Sequence, residues 1–283
     1  MELPQLLCTV RACRSPLARQ ERRYVCANDH AFDVARSGYV NLLQPQDRRS
    51  KSPGDTAQAV AARRKFYERG DPLVNAVVRA FPVSGALLDV GCGEGSHLDA
   101  FRRAHGIEAW GIDISVPAID LAARTYRECS FVVANADRFL PFDDASFDAV
   151  VSITSRRNAE EMHRVLRADG ALLVVIPGAE DLVELREAVQ GERNVRDRVE
   201  RTVAELEPFF ELERRETFRH VARLDRAAMI EVMSSSYRGL RTRERERLER
   251  LDAADVTLAR DLLLFRPSPR VTGNGSRVTD HGS

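Results

Sequence analysis

An acidic residue followed by three closely spaced glycines is the feature of this sequence most suited to chemistry. The residues concerned are Asp89, Gly91, Gly93, Glu94 and Gly95. An apolar run at 86–90 predicts a strand before them, and the apolar spacing of 97–104 predicts a helix after them. Glycine tolerates positive φ and lets the backbone approach a ligand without a Cβ in between. The stretch therefore predicts a cofactor-binding turn at the carboxyl edge of a parallel sheet.

The spacing of the glycines distinguishes two kinds of cofactor. A dinucleotide-binding turn reads G-x-G-x-x-G, whereas Ser96 stands where that third glycine would be. Asp89 lies before the first glycine, and a carboxylate suits a ligand with an amino group and a sulfonium better than one with two phosphates. The pattern D-x-G-x-G-x-G resembles motif I of class I S-adenosylmethionine (SAM) methyltransferases. The resemblance implies that SAM is the cofactor, and we assign the five residues of this stretch to its binding.

Further polar residues follow the next two strand-like segments. Asp113 closes the second segment, 18 residues after Gly95, and an acid at this strand end can accept both hydrogen bonds from a ribose diol. The alternative role for Asp113 is to cap the helix that begins near Ser115. After the third segment, either Asn135 or Asp137 could bind the adenine amino group, and we favour Asp137.

Three of the five cysteines lie in the first 26 residues, followed closely by a histidine. The spacing C-x4-C-x12-C-x3-H is formed by Cys8, Cys13, Cys26 and His30. Two short-spaced pairs separated by a loop can converge tetrahedrally on Zn²⁺, and residues 17–25 can form a hairpin between them. Free thiols beside an incidental histidine are the alternative. Because four protein ligands leave no position open for water, we expect a structural zinc site.

Strand-like and helical segments alternate through the middle of the chain, which predicts a doubly wound, Rossmann-like α/β domain with a parallel sheet. A helix over 57–68 is expected to be capped by Thr56 or Asp55. A helix is expected to end in a turn at 164–170, before a fifth strand at 171–176. We predict a zinc-binding module at 1–45, a linker with helices at 46–83, the methyltransferase domain at 84–266 and a disordered tail at 267–283.

Charge is distributed unevenly although the formal net charge is zero. Residues 1–70 contain 13 Lys and Arg against 7 Asp and Glu, a net charge of +6. This excess indicates either a solvated surface or a module that meets a polyanion. No apolar run reaches the length of about 18 residues that a membrane helix needs, and the start lacks the features of a signal peptide. We therefore expect a cytoplasmic protein without membrane contact.

A longer string of residues before the glycine turn carries a more specific resemblance. It comprises the Cys/His cluster, H-x-F-D-x-A-x-x-G-Y-V-N-L-L at 30–43, Pro53-Gly54-Asp55 and Ala62-Arg63-Arg64. In this order they resemble the bacterial large-subunit ribosomal-RNA guanine-N1-methyltransferases, a family that includes macrolide-resistance enzymes. The resemblance covers about residues 8–265. It implies SAM-dependent methylation of a guanine N1 in a hairpin loop of 23S rRNA, with the zinc module helping to hold the RNA.

The catalytic group is not identified by any sequence feature. Guanine N1 carries a proton that must leave, so Arg156 or Arg157 could stabilise the charge that develops on O6, and Asp55 could accept the proton. The sequence departs from the family pattern at two positions. Arg156 stands where relatives carry a proline, and Asp181 stands where they tend to have a histidine.

Two other functions are compatible with the same motifs. The first is a SAM-dependent methyltransferase of a small molecule, in which the zinc module is a fixed lid. The second is a zinc-bearing RNA-binding protein whose SAM pocket is vestigial. A homodimer is compatible with all three functions.

Overall fold

The structure is a computed structural model, and it describes residues 3–11, 13–47, 53–70, 72–191, 193, 195–235 and 240–269. Most of the expected disordered tail, from residue 270 onward, lies outside the described residues. The strands are β1 Leu17–Gln20, β2 Arg23–Cys26, β3 Ala31–Asp33, β4 Val40–Asn41, β5 Ala86–Val90, β6 Glu108–Asp113, β7 Ser130–Val133, β8 Phe147–Ile153, β9 Leu166–Pro177, β10 Phe210–Asp225 and β11 Ala253–Pro267. The helices are α1 Ala57–Glu68, α2 Pro72–Ala80, α3 Ser96–His105, α4 Val116–Thr125, α5 Ala159–Val165, α6 Val183–Gln190, α7 Val199–Leu206, α8 Arg226–Ser234 and α9 Thr242–Leu248, with a 3-10 turn at Pro45–Asp47.

Eight of these strands form one sheet in the order β10-β11-β9-β8-β5-β6-β7-β4. Strands β4 to β9 run parallel, and β11 pairs antiparallel with both β9 and β10. The strand that carries the glycine turn, β5, pairs with β6 on one side and β8 on the other. The chain changes winding direction between β5 and β8, and such a switch point opens a crevice at the carboxyl ends of the strands. The predicted doubly wound α/β fold is confirmed.

Continuous burial of β5 agrees with its position at the centre of the sheet. All five of its residues are buried, as expected of a parallel strand covered on both faces. Leu88 and Val90 belong to one hydrophobic cluster, whereas Leu87 packs into another with Leu98 and Phe101 of α3. The central strand therefore joins both cores and holds the turn that follows it in a fixed position.

The amino-terminal module is a three-stranded antiparallel sheet in the order β1-β2-β3, so the expected hairpin is present. It is fastened to the large sheet by backbone hydrogen bonds, including Leu7 N–H to Pro141 O at 2.9 Å. Its cysteines Cys8 and Cys26 lie in the same hydrophobic cluster as Leu88. Strand β4, inside the first 45 residues, pairs with β7 of the large sheet. The module therefore shares its core with the catalytic domain.

Local signals predicted α1 accurately but misplaced the start of β9. The helix spans Ala57–Glu68, and the Thr56 hydroxyl caps it by accepting from Ala59 N–H, as Thr caps do. The expected turn over 164–170 is wrong, because α5 ends at Val165 and β9 begins at Leu166. Leu166 is fully buried and pairs with Phe147. The next pair is Ala171 with Ala149, so the residues that looked like a turn form an irregularity within β9.

Candidate active site

The candidate site begins where β5 ends, at the glycine turn. Gly91, Gly93 and Gly95 have φ values of 78°, 56° and 85°, a region that glycine adopts without strain. A Cβ at Gly91 would lie 2.4 Å from Ser155 Cβ, and a Cβ at Gly95 would lie 3.0 Å from the Phe131 ring. The backbone of the turn is therefore closely packed against β7 and the end of β8.

Asp113 joins this turn to the end of β6. Its Oδ2 accepts from Gly93 N–H at 3.0 Å, and its Oδ1 accepts from Ser115 N–H at 2.8 Å. Burial raises the pKa of Asp113, while the two N–H groups oppose that effect. Ser115, not Asp113, is the cap of α4, because its hydroxyl accepts from Ala118 N–H. Asp113 thus lies at the strand end where an acid can bind a ribose diol.

Asp89 is a buried carboxylate with an unsatisfied oxygen. It is 2% exposed, and among the described residues its Oδ1 has no hydrogen-bond partner. Burial raises its pKa to about 8, and the nearby charges of Asp113 and Glu94 add to the effect. A buried polar atom without a partner needs an explanation, and a cationic amino group of a ligand would satisfy it. Glu94 is already engaged locally, since its Oε1 accepts from Ser96 N–H at 3.2 Å.

The four predicted zinc ligands converge. Their ligand atoms all lie within 4.8 Å of one another; His30 Nδ1 is 3.4 Å from the Sγ atoms of Cys8 and Cys26, and Cys13 Sγ is 3.8 Å from Cys26 Sγ. A tetrahedral Zn²⁺ with Zn–S distances of about 2.3 Å places neighbouring sulfur atoms roughly 3.8 Å apart. The cluster therefore fits Zn²⁺ with three thiolates and one imidazole.

The surroundings of the cluster act differently on its thiols. Burial raises the pKa of Cys8 to about 12, whereas hydrogen bonds with Ser15 and from Asn28 lower the pKa of Cys13 to about 5. The Asn28 side-chain amide donates to Cys13 Sγ at 3.1 Å. A bound divalent cation stabilises the thiolate form of each ligand.

Comparison with known proteins agrees with both sites. A family model described as "Methyltransferase domain" matches residues 87–170, and one described as "RlmA, N-terminal", a zinc ribbon, matches residues 7–51. The chain is 36% identical over 274 residues to the 23S rRNA (guanine(748)-N(1))-methyltransferase of Streptomyces fradiae, covering 91% of this chain and 95% of that protein. The chain belongs to the 23S rRNA (guanine-N1)-methyltransferase family.

A further relative and a solved structure extend this agreement. A Micromonospora griseorubida protein, provisionally named a 23S rRNA (guanine-N(1)-)-methyltransferase, is 36% identical over 259 residues, covering 82% of this chain and 85% of the relative. The provisionally named methyltransferase of Haloferax volcanii, solved in a complex with the Trm112 methyltransferase activator, matches with a TM-score of 0.52 at 21% identity, covering 75% of this chain and 95% of that one. The second likeness concerns the fold alone. The chain is thus a SAM-dependent methyltransferase with a structural zinc ribbon.

The family string Pro53-Gly54-Asp55 and helix α1 cover the glycine turn of this methyltransferase. Arg63 Nη2 lies 2.6 Å from Asp55 Oδ2, and Ser115 Oγ donates to Asp55 O at 2.8 Å. Arg63 Nη1 is 3.3 Å from where a Cβ at Gly93 would be. The sequence marks Arg63 as a basic residue of the helix and as part of the family string, not as a neighbour of the glycine turn. Its contact with the turn depends on how α1 packs and had no local signal.

The predicted adenine-binding position lies at the end of β7. Asn135 Nδ2 donates to Asp47 O at 2.8 Å, so its side-chain amide already has a partner within the protein. Asp137 Oδ2 lies 3.2 Å from Arg156 Nη1, and the Arg156 side chain is 76% exposed. Arg157 is turned to α7, where its Nη2 lies 2.9 Å from Glu205 Oε2. Each of the two arginines considered for catalysis is therefore paired with a carboxylate, Arg156 with Asp137 and Arg157 with Glu205.

The turn after β8, which precedes Arg156 and Arg157, is a structured part of the site. Thr154 has a φ of 52°, which is an outlier for a β-branched residue. The next residue anchors it, since Ser155 Oγ donates to Val90 O at 2.6 Å and lies 2.9 Å from Ser152 Oγ. This turn presses directly against Gly91. A fixed, strained turn beside the glycine turn is typical of functional sites.

Proposed function

We propose that this chain transfers the methyl group of SAM to N1 of a guanine in a hairpin loop of 23S rRNA. The observation that carries the proposal is the union, in one continuous core, of a class I glycine turn with a Cys₃His zinc cluster. The named function of the full-length relative supports the same substrate. The relation extends over nearly the whole chain, which favours RNA over a small-molecule substrate.

In this proposal the acids of the glycine turn orient the cofactor. Asp89 binds the amino group, Asp113 the ribose hydroxyls and Asp137 the adenine amino group. Arg63, beside Gly93, is a cationic side chain placed to meet the carboxylate group of SAM. The unsatisfied Oδ1 of Asp89 supports the first assignment, and the position of Asp113 at the end of β6 supports the second.

The chemistry requires alignment more than covalent help. SAM, when bound, supplies a methyl group already activated by its sulfonium. The chain's own residues must hold the target nitrogen in line with that group and exclude water. Helix α1 covers the glycine turn, with Arg63 paired to Asp55, and so helps to exclude water. Asp55, proposed from sequence as a proton acceptor, has its carboxylate already bound by Arg63.

The zinc module is proposed to hold the RNA. The net charge of +6 over residues 1–70 is a suitable complement to phosphate. The basic patch at 48–51 belongs to this segment but lies outside the described residues. The division into a module at 1–45, a linker at 46–83 and a catalytic domain at 84–266 remains a prediction. Strand β4, within the first of these segments, pairs with β7 of the large sheet.

The cytoplasmic location and the homodimer also remain predictions. Within the described part of the chain, no helix has the length and apolar character needed to cross a membrane. For a homodimer, the exposed edge of β10 is the surface where a second copy would pair, because unpaired edge strands are templates for association. Leu212 and Val221 on this strand are 40% and 48% exposed.

The deciding experiment maps N1-methylguanine in 23S rRNA from cells with and without the gene for this chain. N1 methylation blocks the Watson–Crick edge, so reverse transcription should stop at one hairpin-loop guanine only when the chain is present. The purified chain with SAM should restore the stop on unmethylated RNA. An unchanged map would remove the rRNA function. Calorimetric SAM binding without RNA methylation would then point to a small-molecule substrate, and absence of SAM binding to a vestigial pocket.

A further inference from the structure

We infer that the target guanine is held in the pocket between α1 and β11, where Arg260 binds its O6 and the aromatic residues of α1 stack on its ring. The inference rests on the proposed function and adds the residues that recognise the base. Neither Arg260 nor Tyr67 is marked by a sequence motif.

The pocket adjoins the cofactor-binding turn. It is a cavity of about 30 Å³. Its lining includes Phe66, Tyr67, Thr154, Phe218, Leu258 and Arg260. Thr154 is followed by Ser155, which packs against Gly91, and the Tyr67 ring lies edge-on 5.5 Å from the ring of His97 at the start of α3. The pocket therefore borders the glycine turn at the carboxyl end of β8.

The lining has the chemistry of a base-binding site. Aromatic side chains stack on nucleobases, at about 1–3 kcal/mol per base. A cavity of this size holds a water molecule rather than a purine. Entry of a purine therefore requires the Phe66 and Tyr67 side chains, both only partly buried, to turn outward, and in the proposed complex their rings cover the face of the base. An extruded base enters such pockets routinely in enzymes that modify nucleobases.

Arg260 supplies the polar group of the pocket. It forms a close ion pair with Asp181 through Nη1, and Asp181 is fixed by accepting from Ala259 N–H at 3.0 Å. The Nε–H of Arg260 is shielded from solvent and has no hydrogen-bond partner among the described residues. A buried donor without an acceptor costs about 1–3 kcal/mol. An oxygen of the ligand would remove that cost.

Guanine O6 fits this donor both before and after N1 loses its proton. Loss of the N1 proton to solvent spreads negative charge over N1 and O6; the bond from N1 to the methyl carbon then forms as the carbon–sulfur bond breaks, and the charges on the base and the sulfonium cancel. A guanidinium group beside O6 stabilises that charge. Adenine would place an amino donor against the same N–H group, so the pocket also discriminates against adenine. Asp181, which stands where relatives tend to have a histidine, belongs to this arrangement because it holds Arg260 in place.

The test compares Arg260→Lys with Arg186→Lys. Lysine at 260 keeps a charge for Asp181 but lacks the Nε–H. Arg186 lies 3.9 Å from the same carboxylate and does not line the pocket, so its variant is a matched control for disturbance of the ion pair. The substrate is the hairpin RNA that contains the mapped guanine. SAM affinity by calorimetry and melting temperature accompany the kinetics.

Arg260→Lys should lower kcat by about 100-fold, the effect of removing one donor to a developing oxyanion, with SAM affinity unchanged. The pH at which kcat reaches half its maximum should also be higher in Arg260→Lys than in wild type, because the guanidinium group no longer assists loss of the N1 proton. Arg186→Lys should stay within about threefold of wild type. Equal losses in the two variants, or full kcat in a folded Arg260→Lys protein, would overturn the inference.

Substrate changes keep the inference testable if Arg260→Lys does not fold. Wild-type protein should methylate RNA with inosine at the target, which retains N1–H and O6, and should bind adenosine RNA at least tenfold more weakly. With 2-aminopurine at the target, binding should quench its fluorescence, and Tyr67→Leu should remove the quenching. Equal binding of inosine and adenosine RNA, or full quenching by Tyr67→Leu, would contradict the pocket assignment. Failure of wild-type protein to methylate any rRNA guanine would instead refute the proposed function.

Discussion

Binding of SAM should release about one proton near pH 6.5, and the source of that proton should be Asp89. In the free protein, burial and the neighbouring Asp113 and Glu94 hold the pKa of Asp89 at about 8. The carboxyl is then protonated at pH 6.5. An ammonium group of the cofactor beside Oδ1 would stabilise the ionised form, so binding and deprotonation are linked.

The magnitude follows from the fraction of Asp89 that is ionised before binding. With a pKa of about 8, that fraction is roughly 1% at pH 6 and 10% at pH 7, so SAM affinity should rise about tenfold per pH unit over this range. The interval lies below the ordinary titration of an amino group, so the cofactor keeps its charge throughout.

Calorimetry in two buffers of different ionisation enthalpy measures the number of protons released. Asp89→Asn, which preserves the shape of the side chain, is the matched variant and should bind SAM weakly, with no proton release and a flat pH profile. The reasoning is refuted if wild-type protein releases no proton at pH 6.5, or if Asp89→Asn releases as many as wild type.

Titration of Asp89 should also make the folding stability of the cofactor-free protein depend on pH. The folded-state pKa of Asp89 is raised from 3.8 to about 8, so the folded state binds more protons than the unfolded state between these values. Stability contributed by this residue therefore falls as pH rises from about 4 to about 8. At pH 7 the penalty is on the order of 4 kcal/mol. Asp89→Asn should unfold at a higher temperature than wild type at pH 7, with the gap closing towards pH 4. A gap independent of pH would contradict the assigned pKa.

Three further predictions concern the zinc cluster, the glycine turn and a helix cap. Cys13→Ala should lose the bound zinc in a chromogenic chelator assay and lower the melting temperature of the whole chain, whereas Cys129→Ala, outside the cluster, should keep the zinc. Gly91→Ala should abolish SAM binding by calorimetry because its Cβ would overlap Ser155; Gly106→Ala has open space and φ 65° and should cost only about 1–2 kcal/mol in urea unfolding. Thr56→Ala should cost about 1 kcal/mol in the same assay through loss of the α1 cap.

Local signals were sufficient for several elements and for the metal cluster. The limits of β5, β7 and α1 follow from apolar runs, periodicity and a cap within a few residues of each end. The convergence of the cysteines and His30 could be predicted because two short-spaced pairs need only a hairpin to bring them together. The start of β9 could not be predicted, since the pairing of Leu166 with Phe147 depends on a strand about twenty residues away.

The parts of the site that lie on neighbouring segments of the chain could be predicted from the sequence, and the parts that combine distant segments could not. The glycine turn and Asp113 are placed by consecutive parallel strands, so their proximity follows from the fold class. Arg157 was considered for O6, but the structure pairs it with Glu205. The base pocket combines α1, β8 and β11, which are far apart in the chain, and no local pattern marks Arg260 as a member.

The sequence by itself determined the fold class, the position of the glycine turn and the convergence of the Cys/His cluster, because each depends on residue types at short, fixed spacing. Tertiary structure alone decided which distant side chains meet. It joined Cys8 and Leu88 in one core, set Arg63 against Gly93 and buried Asp181 with Arg260. Such contacts arise from the packing of whole elements, whose relative positions are fixed by the sum of many weak interactions rather than by any local motif.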